Sequence, residues 1–375
     1  MRPVKSSFEI EADLQSNQLL IGQFPDNDKN NDIAHPQKQS TYQKFIKENL
    51  YFVFAMLSSL CFAVHNYMIS FGMKWHNDSS IIYPEALSLI TLSALYYIKM
   101  CDDTRKLRGK IFSKEHSIFY EKDTGEFTLK NFRYMFVRAV LAILAISNTT
   151  TISRTSREAG ASFSVMQSLL SLSSFLTAVA FFFLYNERLN CKHLMGMLSI
   201  VLCLVFIAIS KQLKFQDSEQ YKQLIESGQE ILPIIIPIAY SMLQCFYLLW
   251  AGLLLRFAVN NGYSALQFSV DFQFTSGLIF LYLFLKRQYY SDEPLETFLV
   301  WYSASAGIAI FGALLFLNYA LKFGKGGLAI AISQTSSVFM LLFEIGFEGR
   351  IPNVYEVLAI SFAILGAIII ALAKK

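Results

Sequence analysis

The sequence predicts an all-α membrane protein with about ten transmembrane helices in two inverted five-helix repeats. Three observations carry that reading: a charged content of only 16% beside a hydrophobic content of 54%, a succession of apolar runs, and a set of residues that recurs in the same order in both halves. Soluble chains average about 25% charged residues. Stretches with almost no Asp, Glu, Lys or Arg carry more apolar surface than a water-exposed fold can cover. In hydrocarbon such stretches are stable as helices, which close their own backbone hydrogen bonds.

A run of about 17 to 25 apolar residues crosses the bilayer core as a helix. The segments that fit are 51–73, 81–98, 134–153, 159–185 and 193–210 in the first half, and 231–255, 264–285, 298–321, 327–345 and 355–373 in the second. They divide the chain into a disordered polar tail at 1–50, a first repeat at 51–210, a connecting loop at 211–230 and a second repeat at 231–375. The fourth segment is overlong, so it tilts, bends at the Ser-rich stretch 168–174 or projects beyond the bilayer. Pro233 and Pro237 fall in the first turns of the sixth, where a helix tolerates proline best, and Pro352 just precedes the tenth.

Basic loops stay on the cytosolic side. With both termini cytosolic, the inner flanks hold about eighteen Lys and Arg and the outer ones about nine, half of the inner count coming from the loop 99–133. That loop also carries acids and the turn residues Asp123–Gly125, and it reads as a solvated linker. The net charge of +4 therefore describes orientation in a membrane, and no nucleic-acid motif accompanies it. The tail has neither the apolar core of a signal peptide nor the Arg-rich, acid-poor character of a mitochondrial presequence, which leaves the endomembranes or the plasma membrane as the location. Cys61, Cys101, Cys191, Cys203 and Cys245 have no CxxC spacing and indicate neither a disulfide framework nor a zinc site.

The internal repeat spans three helices in each half. Asn148, then Gly160 through Gln167, then Glu187-Arg188 is answered by Asn318, then Gly327 through Gln334, then Glu348-Gly349-Arg350. Gly196 and Cys203 correspond in order to Ala359 and Gly366. An odd number of spans per half makes the second repeat enter from the opposite side, and in such folds a substrate site lies near the midplane between the halves.

From about residue 51 to 375 the chain resembles the drug/metabolite transporter superfamily, whose EamA-like and nucleotide-sugar branches are built from two five-helix inverted repeats. The marks are a long fourth or ninth helix that begins with small residues and ends in an acid, here Gly160 to Glu187 and Gly327 to Glu348. A Gly-containing helix follows, marked by Gly196 or Gly366. The chain departs from the family in having Ser173-Ser174-Phe175 where a mid-helix proline is usual. It also has no Lys in the ninth span after Gly327, which speaks against a phosphate-bearing substrate. The resemblance implies a secondary transporter that moves a small polar metabolite by alternating access, without cofactor and driven by a gradient. The alternative is a non-transporting scaffold or complex subunit that keeps the fold.

Ionisable groups inside a membrane are costly and mark functional hypotheses. Asp271 shares a helix face with Gln267 and Thr275, and reads equally as a cavity carboxylate and as the structural partner of Arg138. Arg138 itself is placed to bind substrate or to snorkel to the headgroups. Glu85 follows Pro84 at a helix start, where the macrodipole favours a carboxylate; His65 reads as a packing residue or a proton carrier. The amides Asn148, Gln167, Asn318 and Gln334 occupy corresponding positions, as cavity lining or as interhelical hydrogen-bonding groups. Tyr240, Gln244 and Tyr247 form a polar-aromatic stripe on the sixth span. Gly324, Gly326 and Gly327 with Lys325 read as a tight joint rather than a phosphate cradle. The substrate-binding set is thus Asp271, Gln267, Asn148, Gln167, Asn318, Gln334, Gln244, Tyr240 and Arg138. No catalytic triad, metal-ligand cluster or Walker-type loop is present in the sequence, so neither an enzyme nor a cofactor is expected. The Asn77–Ser79 sequon lies in too short a loop for modification. The expected partners are a small-molecule substrate and the lipid bilayer, with a homo-oligomer or membrane complex compatible with the chain.

Overall fold

The computed structural model describes residues 41–76, 78–109, 119–120, 127–158, 166, 169–170, 172–187, 190–216, 232–291, 293–349, 351 and 353–372. These form α1 (Thr41–Gly72), a 3-10 turn (Ser79–Ile82), α2 (Glu85–Arg108), α3 (Leu129–Glu158), α4 (Leu172–Tyr185), α5 (Cys191–Gln216), α6 (Leu232–Asn260), α7 (Ala265–Tyr290), α8 (Thr297–Phe323), α9 (Gly326–Ser333), α10 (Ser336–Glu348) and α11 (Val354–Leu372). The only extended pairing among the described residues is an isolated bridge between Tyr120 and Phe127.

Seven stretches are long and apolar enough to cross a bilayer: Leu50–Gly72, Ser79–Lys106, Leu129–Ser156, Ile235–Asn260, Ala265–Tyr290, Thr297–Phe323 and Gly326–Phe347. Shorter apolar helices at Leu172–Tyr185, Cys191–Cys203 and Val354–Gly366 occupy the remaining segments. Large side chains such as Phe183, 77% exposed, stand on the outer surface. This pattern suits lipid contact and would be costly in water. The chain is an integral, multi-pass membrane protein.

The helices outrun the apolar segments that mark them. Residues 41–50, read from sequence as tail, belong to α1, because helix-forming Gln, Lys and Glu continue a helix into water at little cost. Likewise α2 runs to Arg108 and stops at Gly109, whose φ of 72° is the left-handed conformation that glycine adopts freely. The start of α11 is a capping box: Asn353 Oδ1 accepts from the Glu356 N–H at 2.9 Å, and Glu356 Oε2 accepts from the Asn353 N–H at 3.0 Å.

The ninth segment is broken into α9 and α10 by a turn at Gln334–Thr335. No proline causes the break. The hydroxyls of Ser333 and Thr335 donate back to the Ile330 and Ile332 carbonyls at 2.8 and 2.7 Å, competing with the helical ladder. A 2.8 Å bond between Ser59 Oγ and Thr335 Oγ1 ties the break to α1. The fourth segment enters α4 at Leu172, inside the Ser-rich stretch 168–174, while 159–165 lie outside the described residues.

The most extensive helix contacts are α1 with α8, α5 with α11, α3 with α6 and α2 with α7, followed by α2 with α8, α4 with α9 and α3 with α7. Small residues let two of these seams close. A Cβ on Gly366 of α11 would stand 2.8 Å from the Gly196 carbonyl oxygen of α5. A Cβ on Gly327 of α9 would stand 2.6 Å from Ala178 Cβ of α4. Hydrocarbon supplies no hydrophobic drive between helices, so such close backbone approach is what holds them.

Candidate functional site

A cavity of about 70 Å³ lies at the centre of the bundle, on the scale where about 10–15 Å³ holds one water. Its wall comes from α1, α3, α6, α8 and the α9–α10 break. On α3 the lining residues are Arg138, Ala142, Ala145, Ile146 and Thr149, a 3.6-residue stripe; on α6 they are Gln244, Tyr247, Leu248, Ala251 and Gly252. Polar groups are thus set into an otherwise apolar wall of Phe62, Leu170, Ile310, Leu314 and similar side chains.

Among the described residues Arg138 is the one side chain of fixed charge on this wall. It follows Leu129, the first residue of α3, by nine positions, about 13 Å along the axis. At that depth it is 3% exposed and does not snorkel. Its guanidinium sits over the Phe272 ring, 4.4 Å from the centroid. Its Nε has no hydrogen-bond partner, and among the described residues no carboxylate stands within ion-pair distance of Arg138. His65, also on the wall, places Nε2 3.0 Å from Glu85 Oε1 and Nδ1 3.3 Å from Asn66 Oδ1. The second Glu85 oxygen is buried without a partner.

The amides divide. Gln244 and Gln334 line the cavity. Asn148 stands one residue round the helix from Thr149 and supports the wall from behind, donating to Gln244 Oε1 at 2.9 Å and to the Tyr240 carbonyl at 2.8 Å. Gln244 Nε2 in turn donates to Thr149 Oγ1 at 3.4 Å. Asn318 lies off the cavity, its amide taken by Ser269 Oγ at 2.6 Å. Tyr240 contributes only its carbonyl, and Gln267 is half-buried at the start of α7. Gln167 lies outside the described residues.

Asp271 does not pair with Arg138 and does not line the cavity. Its carboxylate accepts from the phenols of Tyr97 and Tyr263, each at 2.5 Å, which joins α2 and the α6–α7 connection to α7. Burial and the neighbouring carboxylate hold the Tyr263 phenol well above its ordinary pKa, so it remains a donor. These two donors partly compensate for burial of the carboxylate without a cation. Asp271→Asn keeps one acceptor and turns a donor towards the other phenol, so a loss of about 1–3 kcal/mol is expected in thermal unfolding. Adding Arg138→Gln should not rescue it. A coupling energy above about 1 kcal/mol in the double-mutant cycle would reinstate the pair.

Beyond the cavity, at the end of the bundle where α4, α6 and α8 finish, Arg256 and Glu187 tie the helix ends together. Arg256 Nη2 donates to Glu187 Oε1 at 2.8 Å and to the Gly324 carbonyl at 2.5 Å, and Glu187 Oε2 accepts from the Gly326 N–H at 3.0 Å. The Gly-rich joint therefore holds a carboxylate of its own chain. Arg256 was not legible as part of this contact, because a basic residue ending an apolar run looks like an interface anchor. At the opposite end, Asp78 accepts from Ser80 Oγ at 2.8 Å and lies 3.7 Å from Arg287 of α7. Partial burial pushes the Asp78 pKa up, but the Ser80 hydrogen bonds, Arg287 and His76 outweigh it and hold the carboxyl below its usual value. A depressed carboxylate contributes stability that is present at neutral pH and lost as pH falls through its folded pKa.

Residues 235–372 match the EamA-like transporter family. The EamA-like segment runs from the first turn of α6 to the end of α11 and supplies the Gln244–Gly252 stripe, the α8 wall and the α9–α10 break. It supports the resemblance to the drug/metabolite transporter superfamily. No curated protein matches the chain.

Proposed function

We propose that the chain is a secondary transporter that carries a small polar metabolite across a membrane by alternating access around the central cavity. The observation that carries this is a cavity whose polar groups come from helices of both halves. The EamA-like match supports a transporter. The two-repeat layout draws support from the packing. Exchanging each of α1, α2 and α3 for α6, α7 and α8, and the reverse, turns the α1–α8 contact into α6–α3, turns α2–α8 into α7–α3, and returns α2–α7 to itself. That is what a two-fold axis between 51–210 and 231–375 requires.

In this reading the halves rock about the cavity, the Arg256–Glu187 contact parts when the site opens to the side on which α4 ends, and that side is the cytosol, with both termini. Purified protein in liposomes, loaded with unlabelled solute and assayed for counterflow of labelled sugars, amino acids and organic acids, is expected to show saturable exchange for one class. Absence of exchange across the panel, in protein that remains folded, would leave the scaffold reading. Tags on the two termini of sealed vesicles should be protected or exposed together; opposite exposure removes the ten-span arrangement.

A further inference from the structure

We infer that the cavity binds an organic monocarboxylate, whose carboxylate pairs with Arg138 while its body lies against the amide and aliphatic wall. This deepens the transporter reading, but the binding itself does not depend on it. A guanidinium cannot shed its charge to escape burial, and isolating one away from water costs several kcal/mol unless something pairs with it. The protein supplies the Phe272 ring and, among the described residues, no carboxylate. Asp271, the nearest intramembrane candidate in sequence terms, is bound by Tyr97 and Tyr263. Glu85 is bound by His65. The missing counter-charge is thus left for a ligand in the cavity that Arg138 lines.

The rest of the wall sets the charge and shape of that ligand. Among the described residues no Asp or Glu lines the cavity, so an ammonium group would find no counter-charge there, which disfavours amines and zwitterionic amino acids. Among the described residues no second Lys or Arg lines it either, so a phosphate monoester, carrying about −1.5 to −2 at neutral pH, would be left under-neutralised. One fixed cation matches one carboxylate, and the planar fork of donors suits its two oxygens. Gln244, Thr149 and Gln334 then offer hydrogen bonds to a hydroxyl or carbonyl substituent, and Ile310, Leu314 and Leu248 take an apolar body.

The test is thermal stability of the full chain in nanodiscs, titrated with monocarboxylates from acetate to octanoate and benzoate. The matching amides and amines, succinate and inorganic phosphate serve as comparators. At least one monocarboxylate should raise the melting temperature saturably, and its amide should not. Arg138→Gln should weaken that binding by at least about tenfold, while the variant without ligand melts no lower than the parent because an uncompensated buried charge has gone. Arg138→Lys, which keeps the charge without the fork, should bind with intermediate affinity and serves if the glutamine variant fails to fold. The inference is overturned if no monocarboxylate binds, if amides or phosphate bind as well, or if either variant binds at parental affinity. Binding without liposome exchange keeps the site and removes the transporter. Exchange of a neutral or cationic solute, with no carboxylate effect, does the reverse.

Discussion

Gly327→Leu is expected to prevent accumulation of folded protein. A Cβ at Gly327 would lie 2.6 Å from Ala178 Cβ, 2.9 Å from Ala178 Cα and 3.2 Å from its backbone nitrogen. The obstacle is therefore the α4 main chain, which no rotamer change can move. Overpacking a core by a few methylenes costs about 1–3 kcal/mol; forcing two backbones apart and inserting an isobutyl group should exceed that, putting the loss above about 3 kcal/mol. Gly346→Ala in α10 is the control, since a Cβ there meets nothing within 4 Å, and removing a helix-interior glycine should be neutral or stabilising by up to about 1 kcal/mol. The check is the yield of monodisperse protein and its melting temperature in detergent. A Gly327→Leu chain that melts with the parent would mean the α4–α9 seam does not hold the bundle together.

Breaking the Arg256–Glu187 contact is expected to expose the cavity to the side on which α4 ends. Glu187→Gln removes the charge that holds Arg256 and weakens the acceptor for the Gly326 N–H, releasing the end of α6 from the α8–α9 joint. Charge-assisted hydrogen bonds contribute about 1.5–3 kcal/mol, so the open population should rise by about tenfold or more. A Ser333→Cys reporter on the cavity wall, read by difference from the parent chain, should then react faster with a membrane-impermeant thiol reagent added from the side where α4 ends. The reversed pair Glu187→Arg with Arg256→Glu should not restore closure. It would turn a carboxylate towards the Gly324 carbonyl, which needs a donor, and a guanidinium towards the Gly326 N–H, which needs an acceptor. Restoration by the reversed pair would show that only opposite charge matters and that the backbone groups contribute nothing.

Much of the fold was legible because hydropathy reports, residue by residue, which solvent a side chain can tolerate. The apolar runs marked the helices, seven of them long and apolar enough to span, the scarcity of charge pointed to a bilayer, and the few ionisable groups in those runs, Arg138, Asp271, Glu85 and His65, stood out in the sequence. The limits of each helix were not legible, because Gln, Lys and Glu carry α1 back to Thr41 without an apolar signal. Nor was the break at Gln334–Thr335, which depends on hydroxyls finding carbonyls one turn back and on Ser59 across the seam.

Partnership was decided only by the tertiary structure. Asp271 and Arg138 lie at compatible depths in sequence. Yet the rotation of α7 gives the carboxylate to two phenols and that of α3 gives the guanidinium to the cavity. Asn148 and Asn318 hold corresponding places in the repeat read from the sequence, but one braces the cavity wall and the other bonds Ser269, since a single residue of helix advance turns a side chain by about 100°. Depth and polarity are properties of one helix and can be read along it; which face meets which neighbour is a property of two, and is settled only when they pack.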